Sequence, residues 1–342
     1  MKALHVFLAF WSILLVISLY SETRLYECCE MIQESGMDSE RPIETPAAIT
    51  IAVIGDVHNL WDPKEENILE SLGVDLVLFV GDFGNEAVDI VRHIAAVKLP
   101  KAVILGNHDV WYTATPWGRS KCPYDRQQED WVQQQLDLLG NTHVGYGCLD
   151  FPEFDLTVVG SRPFSWGGPQ WKYKRFYRDR CHVKNFREST ERIMAAVETA
   201  AHNTIIFLGH CGPYGLGDRP EDPCGKDWGN GRLGGDYGDQ DFTDAIAHTQ
   251  IMGKNVPLVA FGHMHHGLRH RTDCERVKAI MNEDRTLYLN AASVPRIKDD
   301  RGDRLYNFSL VSLEQGHVTQ AKIVWVNEYL EMHQEDILYS TH

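Results

Sequence analysis

The chain has 342 residues, 43% hydrophobic and 24% charged, which places it among globular proteins and away from disordered, collagen-like and multi-span membrane compositions. Its 33 Lys and Arg against 48 Asp and Glu leave a formal charge of -15, so the surface repels phosphate backbones and duplex nucleic acid is a poor partner. Eight cysteines, with Cys28 and Cys29 adjacent and no C-x-x-C pair, match neither a disulfide framework nor a thiolate zinc site.

The run from Ala3 to Tyr20 follows Lys2 and contains no Asp, Glu, Lys or Arg, which reads as a secretory or anchoring signal over residues 1–20. At about 1.5 Å per residue it reaches roughly 27 Å, close to a hydrocarbon thickness of about 30 Å. Cleavage after Ser18 satisfies the small-residue rule weakly, so an uncleaved anchor is the preferred reading, with the bulk of the chain lumenal. Residues 21–46, acidic and carrying Pro42 and Pro46, read as a flexible tether. The folded domain is expected over 47–330, leaving 331–342 as a C-terminal tail.

Six short apolar runs each end in a glycine followed by a polar residue: Asp56, Asp82, Asn107, Ser161, His210 and His263. Such β-branched runs predict strands buried on both faces. Helix-like stretches at Asn85 to Val97, Gln127 to Leu139 and Arg187 to Ala201 lie between them, giving an α/β order. In such sheets the loops beyond the strand carboxyl ends form the ligand crevice, so the polar residues after the glycines should converge. After Leu287 the pattern changes to alternating strands, with a turn at Glu314-Gln315-Gly316, which predicts a second, mixed or antiparallel sheet packed on the first.

The residues at the strand ends are Asp56 and His58, Asp82, Asn107 with His108 and Asp109, His210, and His263 with His265. Carboxylate, imidazole and amide oxygen together suit Mn, Fe, Zn or Co better than Ca. The set holds too many donors for one such ion. Two ions about 3.5 to 4 Å apart, sharing a bridging carboxylate, would use them and would form a clamp for in-line attack on phosphorus.

These motifs, GDVH, GDFGN, GNHD, GH and GHMH in order between Ile49 and Pro295, resemble the calcineurin-like metallophosphoesterases. The resemblance implies a four-layer α/β/β/α sandwich of two mixed sheets. It also implies two divalent or mixed-valence metal ions, with Mn, Fe or Zn as the chemical choices. Asp56, His58 and His265 would hold the first ion, Asn107, His210 and His263 the second, and Asp82 would bridge, with a hydroxide between the ions as nucleophile. His108 would protonate the leaving oxygen or stabilise transition-state charge, and Asp109 would orient that imidazole. Asn85 stands where purple acid phosphatases place a metal-bound Tyr, and Glu86 where protein Ser/Thr phosphatases have an Arg, so neither class is expected. His266 is an extra imidazole, read as a supporting or solvent-facing group.

Arg162 follows the fourth strand glycine and is aimed by the same strand-end logic at the crevice, where its planar fork suits phosphate oxygens. Trp166 opens a basic and aromatic island running to Arg180, read as binding the substrate or, alternatively, as a helix with an aromatic packing face. Trp111, Tyr112 and Trp117 follow GNHD and either wall the pocket or plug a loop into the core. The glycine-rich segment from Gly212 to Asp241 follows His210 and reads as a lid or rim, its acids mainly solvated. The expected activity is hydrolysis of a small phosphorylated metabolite, as monoester or diester. Nuclease or nucleotide pyrophosphatase chemistry and a non-catalytic scaffold are the alternatives. No nucleic acid partner is expected, and membrane contact is confined to the N-terminal segment. That segment implies a membrane-anchored or secretory-pathway protein. The glycine-rich segment also resembles a cyanobacterial and plant subgroup, which makes a plastid location the alternative.

Overall fold

The computed structural model describes residues 48–341 apart from 230, 231 and 301. The six apolar runs all form strands: β1 (Ala48–Ile54), β2 (Leu76–Phe79) and β3 (Lys101–Val103), then, after β4 (Cys148–Phe151), β5 (Leu156–Gly160), β6 (Thr204–Leu208) and β7 (Asn255–Phe261). β8 (Ala279–Met281), β9 (Leu287–Asn290), β10 (Ile297–Asp300), β11 (Asp303–Glu314), β12 (His317–Asn327) and β13 (Met332–Ser340) complete the described strands. Among helices, the three predicted stretches become α2 (Val88–Ala96), α5 (Trp131–Leu139) and α7 (Phe186–Thr199). The others are α1 (Lys64–Ser71), the short α3 (Trp111–Ala114) and α4 (Pro116–Ser120), α6 (Lys174–Cys181) and α8 (Gln240–Ile251).

The strands divide between sheets differently from the sequence expectation. The first sheet runs β13-β12-β11-β1-β2-β3, with β10 on β11, and the second runs β4-β5-β6-β7-β9-β8. β1 is the reason. It pairs in parallel with β2 on one side and antiparallel with β11 on the other, Ile51 facing Val311, so the C-terminal hairpin extends the first sheet instead of founding a second. Of the late strands only β8 and β9 join the other sheet, β9 running parallel to β7. The predicted turn holds: Gln315 and Gly316 both have positive φ, 50° and 77°, as a tight hairpin between twisted strands requires.

Alternation along the strands sorts the core into three sections that match the four-layer sandwich. Ile51, Val53, Leu76 and Leu78 meet Val158, Ile206, Leu258 and Leu287 between the sheets. Ala52, Ile54, Val77 and Phe79 face outward to Leu69 of α1, Val91 of α2 and Val132 of α5. On the far side Ile205, Phe207 and Val259 pack on Ile193 of α7 and Phe242 of α8. Because β1 is buried on both faces, a one-residue slip would not expose its side chains but would mismatch the packing of both layers and displace the loop that follows it by about 3.3 Å.

Two further expectations are corrected. The segment assigned to a C-terminal tail contains β13, paired along β12 from Met332 to Ser340. It is a mostly exposed edge strand that packs only Leu338 and Tyr339, near its end, on the inter-sheet core, and its charges, such as Glu335 bonded to Lys322, discourage further strand pairing. The membrane-anchored or secretory reading is not upheld, since no helix among the described residues is long and apolar enough to cross a membrane. The segment 1–20 and the tether 21–46 lie outside the described residues.

Candidate metal centre

Five strands deliver the polar residues, from both sheets. β1 leads to Asp56 and His58, β2 to Asp82 and β3 to Asn107 and His108 in the first sheet, and β6 leads to His210 and β7 to His263 and His265 in the second. The loops are tied across the sheets: His210 Nδ1 donates to Val80 O at 2.7 Å, and His263 N donates to Asp56 Oδ1 at 3.0 Å. This close approach explains the glycines. A Cβ on Gly106 would stand 2.3 Å from Asp82 Oδ1, and one on Gly262 2.4 Å from Asp56 Oδ1. Asp56, His58, Asp82 and His263 all adopt positive φ, between 43° and 69°, a region costing a non-glycine residue about 1–3 kcal/mol. The inter-sheet core must hold them there.

Three sets of side chains place one donor atom each within 4.8 Å of one another: Asp56, His58 and His265; Asp82, His210 and His263; and His58, Asp82 and His108. Asp82 thus belongs to two of the sets, and the set it shares with His58 and His108 joins the other two. Its Oδ1 is 3.3 Å from His210 Nε2, while its Oδ2 is 4.0 Å from the Nε2 atoms of both His58 and His108. Asn107 Oδ1 is 3.0 Å from His210 Nε2.

The donor set fits metal ions on several counts. His58 Nε2 faces His265 Nε2 at 3.3 Å, and His263 Nδ1 faces His210 Nε2 at 3.2 Å. Ligand atoms each about 2.0–2.1 Å from a shared ion stand roughly 3 Å apart. Asp56 Oδ2 is buried without a well-aligned hydrogen bond. The Val80 carbonyl fixes the proton of His210 on Nδ1 and turns Nε2 inward, the usual support of a ligating imidazole. Burial works to raise the carboxyl of Asp56, but the His265, His210 and His58 imidazoles outweigh it and hold it low. Burial and the neighbouring His210 push His263 down to about 3. Both groups thus stand in the protonation states that ligation needs.

His108 sits beside this centre, its ring stacked on Trp111 at 4.7 Å between centroids and edge-on to His58 at 4.9 Å. Its Nδ1 donates to Asn85 Oδ1 at 2.6 Å, leaving Nε2 facing Asp82. The expected orienting role of Asp109 is corrected. Its buried carboxylate accepts from the backbone N–H groups of Asp82, Phe83 and Gly106, locking the second and third motif loops together, and Asn85 holds the imidazole. Glu86 likewise turns inward, accepting from Thr113 N and the Tyr124 hydroxyl. Asn85→Ala is expected to lower kcat by about tenfold to a hundredfold, the range for groups that orient a site histidine, with metal content measured by mass spectrometry unchanged.

Arg162 is not part of the centre. It is 3% exposed, ion-paired with Asp239 and Asp241, and lies over the Trp171 ring at 4.7 Å, so the expected contact with substrate is corrected to a structural one. The strand does aim it past β5, but α8 and the loop before it supply two carboxylates that capture it. Arg162→Ala is expected to destabilise the fold by about 3–5 kcal/mol in denaturant unfolding, because it strands two buried acids. A shift in KM without a stability loss would return Arg162 to the substrate.

Trp166 does reach the centre. It lines a cleft of about 380 Å3 together with Asp82, Asn107, His108, Trp111, His263 and His265. Lys172 of the island joins it, its Nζ donating to the carbonyls of Trp166 and Gly167. Trp228, Arg269 and Arg276 also line the cleft and were not singled out from sequence. Arg276 ties the glycine-rich segment down: it donates to the carbonyls of Pro220, Asp222, Gly225 and His265. That segment is thus an anchored rim, and four of its acids are not solvated: Asp239 and Asp241, which hold Arg162, and two nearer the cleft. Asp222 and Asp227 are buried, Asp227 accepting from Arg269 N at 2.8 Å. Only the attachment of the segment to His210 pointed to this in the sequence. His266 turns away from the cleft and donates to Asn290 O.

No curated protein sequence matches this chain. Among solved structures, TT1561 of Thermus thermophilus is 13% identical with a TM-score of 0.44, covering 85% of this chain and 100% of its own. A dimetal phosphatase from Danio rerio is 10% identical with a TM-score of 0.43, covering 86% and 99%. NAD nucleotidase from Haemophilus influenzae is 12% identical with a TM-score of 0.40, covering 86% and 58%. The calcineurin-like phosphoesterase family matches residues 49–267, which span all five glycine motifs and every side chain of the three donor sets, and the chain belongs to that family.

Proposed function

We propose that the chain is a dinuclear metal-dependent phosphoesterase that hydrolyses a small phosphorylated metabolite. The observation that carries this reading is the placement of Asp82, one carboxylate oxygen toward His210 and the other toward His58, between two clusters of donors at the floor of a cleft. Asp56, His58 and His265 would hold one ion and Asn107, His210 and His263 the other, with Asp82 shared. Two bound divalent ions supply the Lewis acidity and the activation of water that in-line attack on phosphorus needs.

The chain's own residues do the rest. His108 Nε2, open toward the cleft, is placed to donate to the leaving oxygen or to a phosphoryl oxygen, while Asn85 and Trp111 prevent the ring from turning. Trp166 and Trp228 give the cleft flat apolar surfaces, and Lys172 and Arg269 supply positive charge for the part of the substrate that does not react.

The test is turnover of p-nitrophenyl phosphate against bis-p-nitrophenyl phosphate by purified protein with Mn, Fe or Zn ions. Hydrolysis of either that is abolished by a chelator and restored by divalent ions is the expected result, and the ratio separates monoester from diester activity. Absence of turnover in metal-loaded protein with both substrates would favour the scaffold reading and overturn this one.

A further inference from the structure

The basic and aromatic island does not act as one unit. Trp166 and Lys172 face the metal cleft, whereas Tyr173, Lys174, Arg175, Phe176, Asp179 and Arg180 line a second cavity of about 780 Å3, roughly twice the volume of that cleft. Trp166 lines the first and Tyr173 the second, their ring centroids 4.3 Å apart. The second cavity also takes Arg119 and Arg126 from the chain that follows the His108 motif.

We propose that this second cavity binds a small polyanion, a molecule bearing several phosphate groups. Five cations, Arg119, Arg126, Lys174, Arg175 and Arg180, line it against one acid, Asp179, in a protein whose formal charge is -15. Two of them are fixed from behind: Arg119 donates to the carbonyls of Thr113 and Ala114, and Arg180 pairs with Asp130. Arg175 shares Asp179 with Arg178. Lys174 and Arg126 line the cavity without a close carboxylate partner among the described residues, Arg126 acting on Glu86 only at longer range.

Lys174 and Arg175 also occupy the first turn of α6, which has no acidic residue there. Cations at that end oppose the helix dipole, and their mutual repulsion adds to the cost. A bound polyanion relieves both terms at once. Phosphate groups suit the site because the arginine forks recognise their oxygens bidentately. No donor of the metal centre lines this cavity, so polyanion binding here is independent of the reaction proposed above.

The probe is myo-inositol hexasulfate, whose sulfate esters carry permanent charge and are weak metal ligands. Titration calorimetry on the metal-loaded protein is expected to show one equivalent bound. The double variant Arg126→Ala/Lys174→Ala is expected to lower the affinity at least about tenfold. Its unfolding midpoint and its p-nitrophenyl phosphate turnover should match the parent, since both residues are exposed and outside the metal cleft. Asp82→Asn should bind the probe as the parent does. Parent protein that does not bind, a double variant that binds equally well, or an Asp82→Asn variant that loses binding would each overturn the proposal.

Discussion

Asp82→Asn is expected to reduce bound metal from two ions per chain to one or none and to lower kcat/KM by at least about 10³. Asp82 is almost fully buried, and its two oxygens face different donor clusters. It also accepts a hydrogen bond from His108 N at 2.8 Å. Asparagine keeps the shape and one acceptor oxygen but removes the negative charge that both ions share. The loss in metal affinity should therefore exceed the 10–100-fold typical of groups that merely support a ligand. Metal content after dialysis, measured by mass spectrometry, checks it. Two tightly held ions in the variant would remove Asp82 from the bridging position.

His108→Ala is expected to keep both ions and lose about 10² to 10⁴ in kcat on an alkyl phosphate, the range for a positioned acid or base. Burial pulls the His108 imidazole below its ordinary value while the charge of Asp82 works against it. If the ring protonates the leaving oxygen, the loss shrinks on p-nitrophenyl phosphate, whose leaving group departs as a stable anion. Equal losses on both substrates would assign His108 to stabilising charge on the phosphoryl group instead. Because the ring stacks on Trp111, the unfolding midpoint should be measured alongside.

The sequence made the metal centre legible because each strand announces its own carboxyl end with an apolar run and a glycine, and the side chain that follows has few directions open to it. Asp56, Asp82, Asn107, His210 and His263 all stand one residue beyond such a glycine, and the structure gathers them. Arg162 also follows the glycine end of a strand, yet its environment is set by Asp239 and Asp241, more than seventy residues later, and no local pattern reveals such a pairing. Asp109 misled for a related reason. Adjacent residues in a short 3-10 turn point apart, so sequence proximity to His108 carried no information about contact. The division of strands between the sheets was equally hidden, since the β1 to β11 pairing joins residues about 260 apart through hydrogen bonds that leave no periodic mark. Arg276 escaped notice because its four carbonyl partners belong to the backbone, which the sequence does not vary.

The measurement that bears most directly on the dinuclear centre is anomalous scattering from crystals grown with Mn ions. Two peaks about 3.5–4 Å apart are expected, one among Asp56, His58 and His265, the other among Asn107, His210 and His263, with Asp82 touching both. A single peak, or peaks held by other residues, would contradict the account.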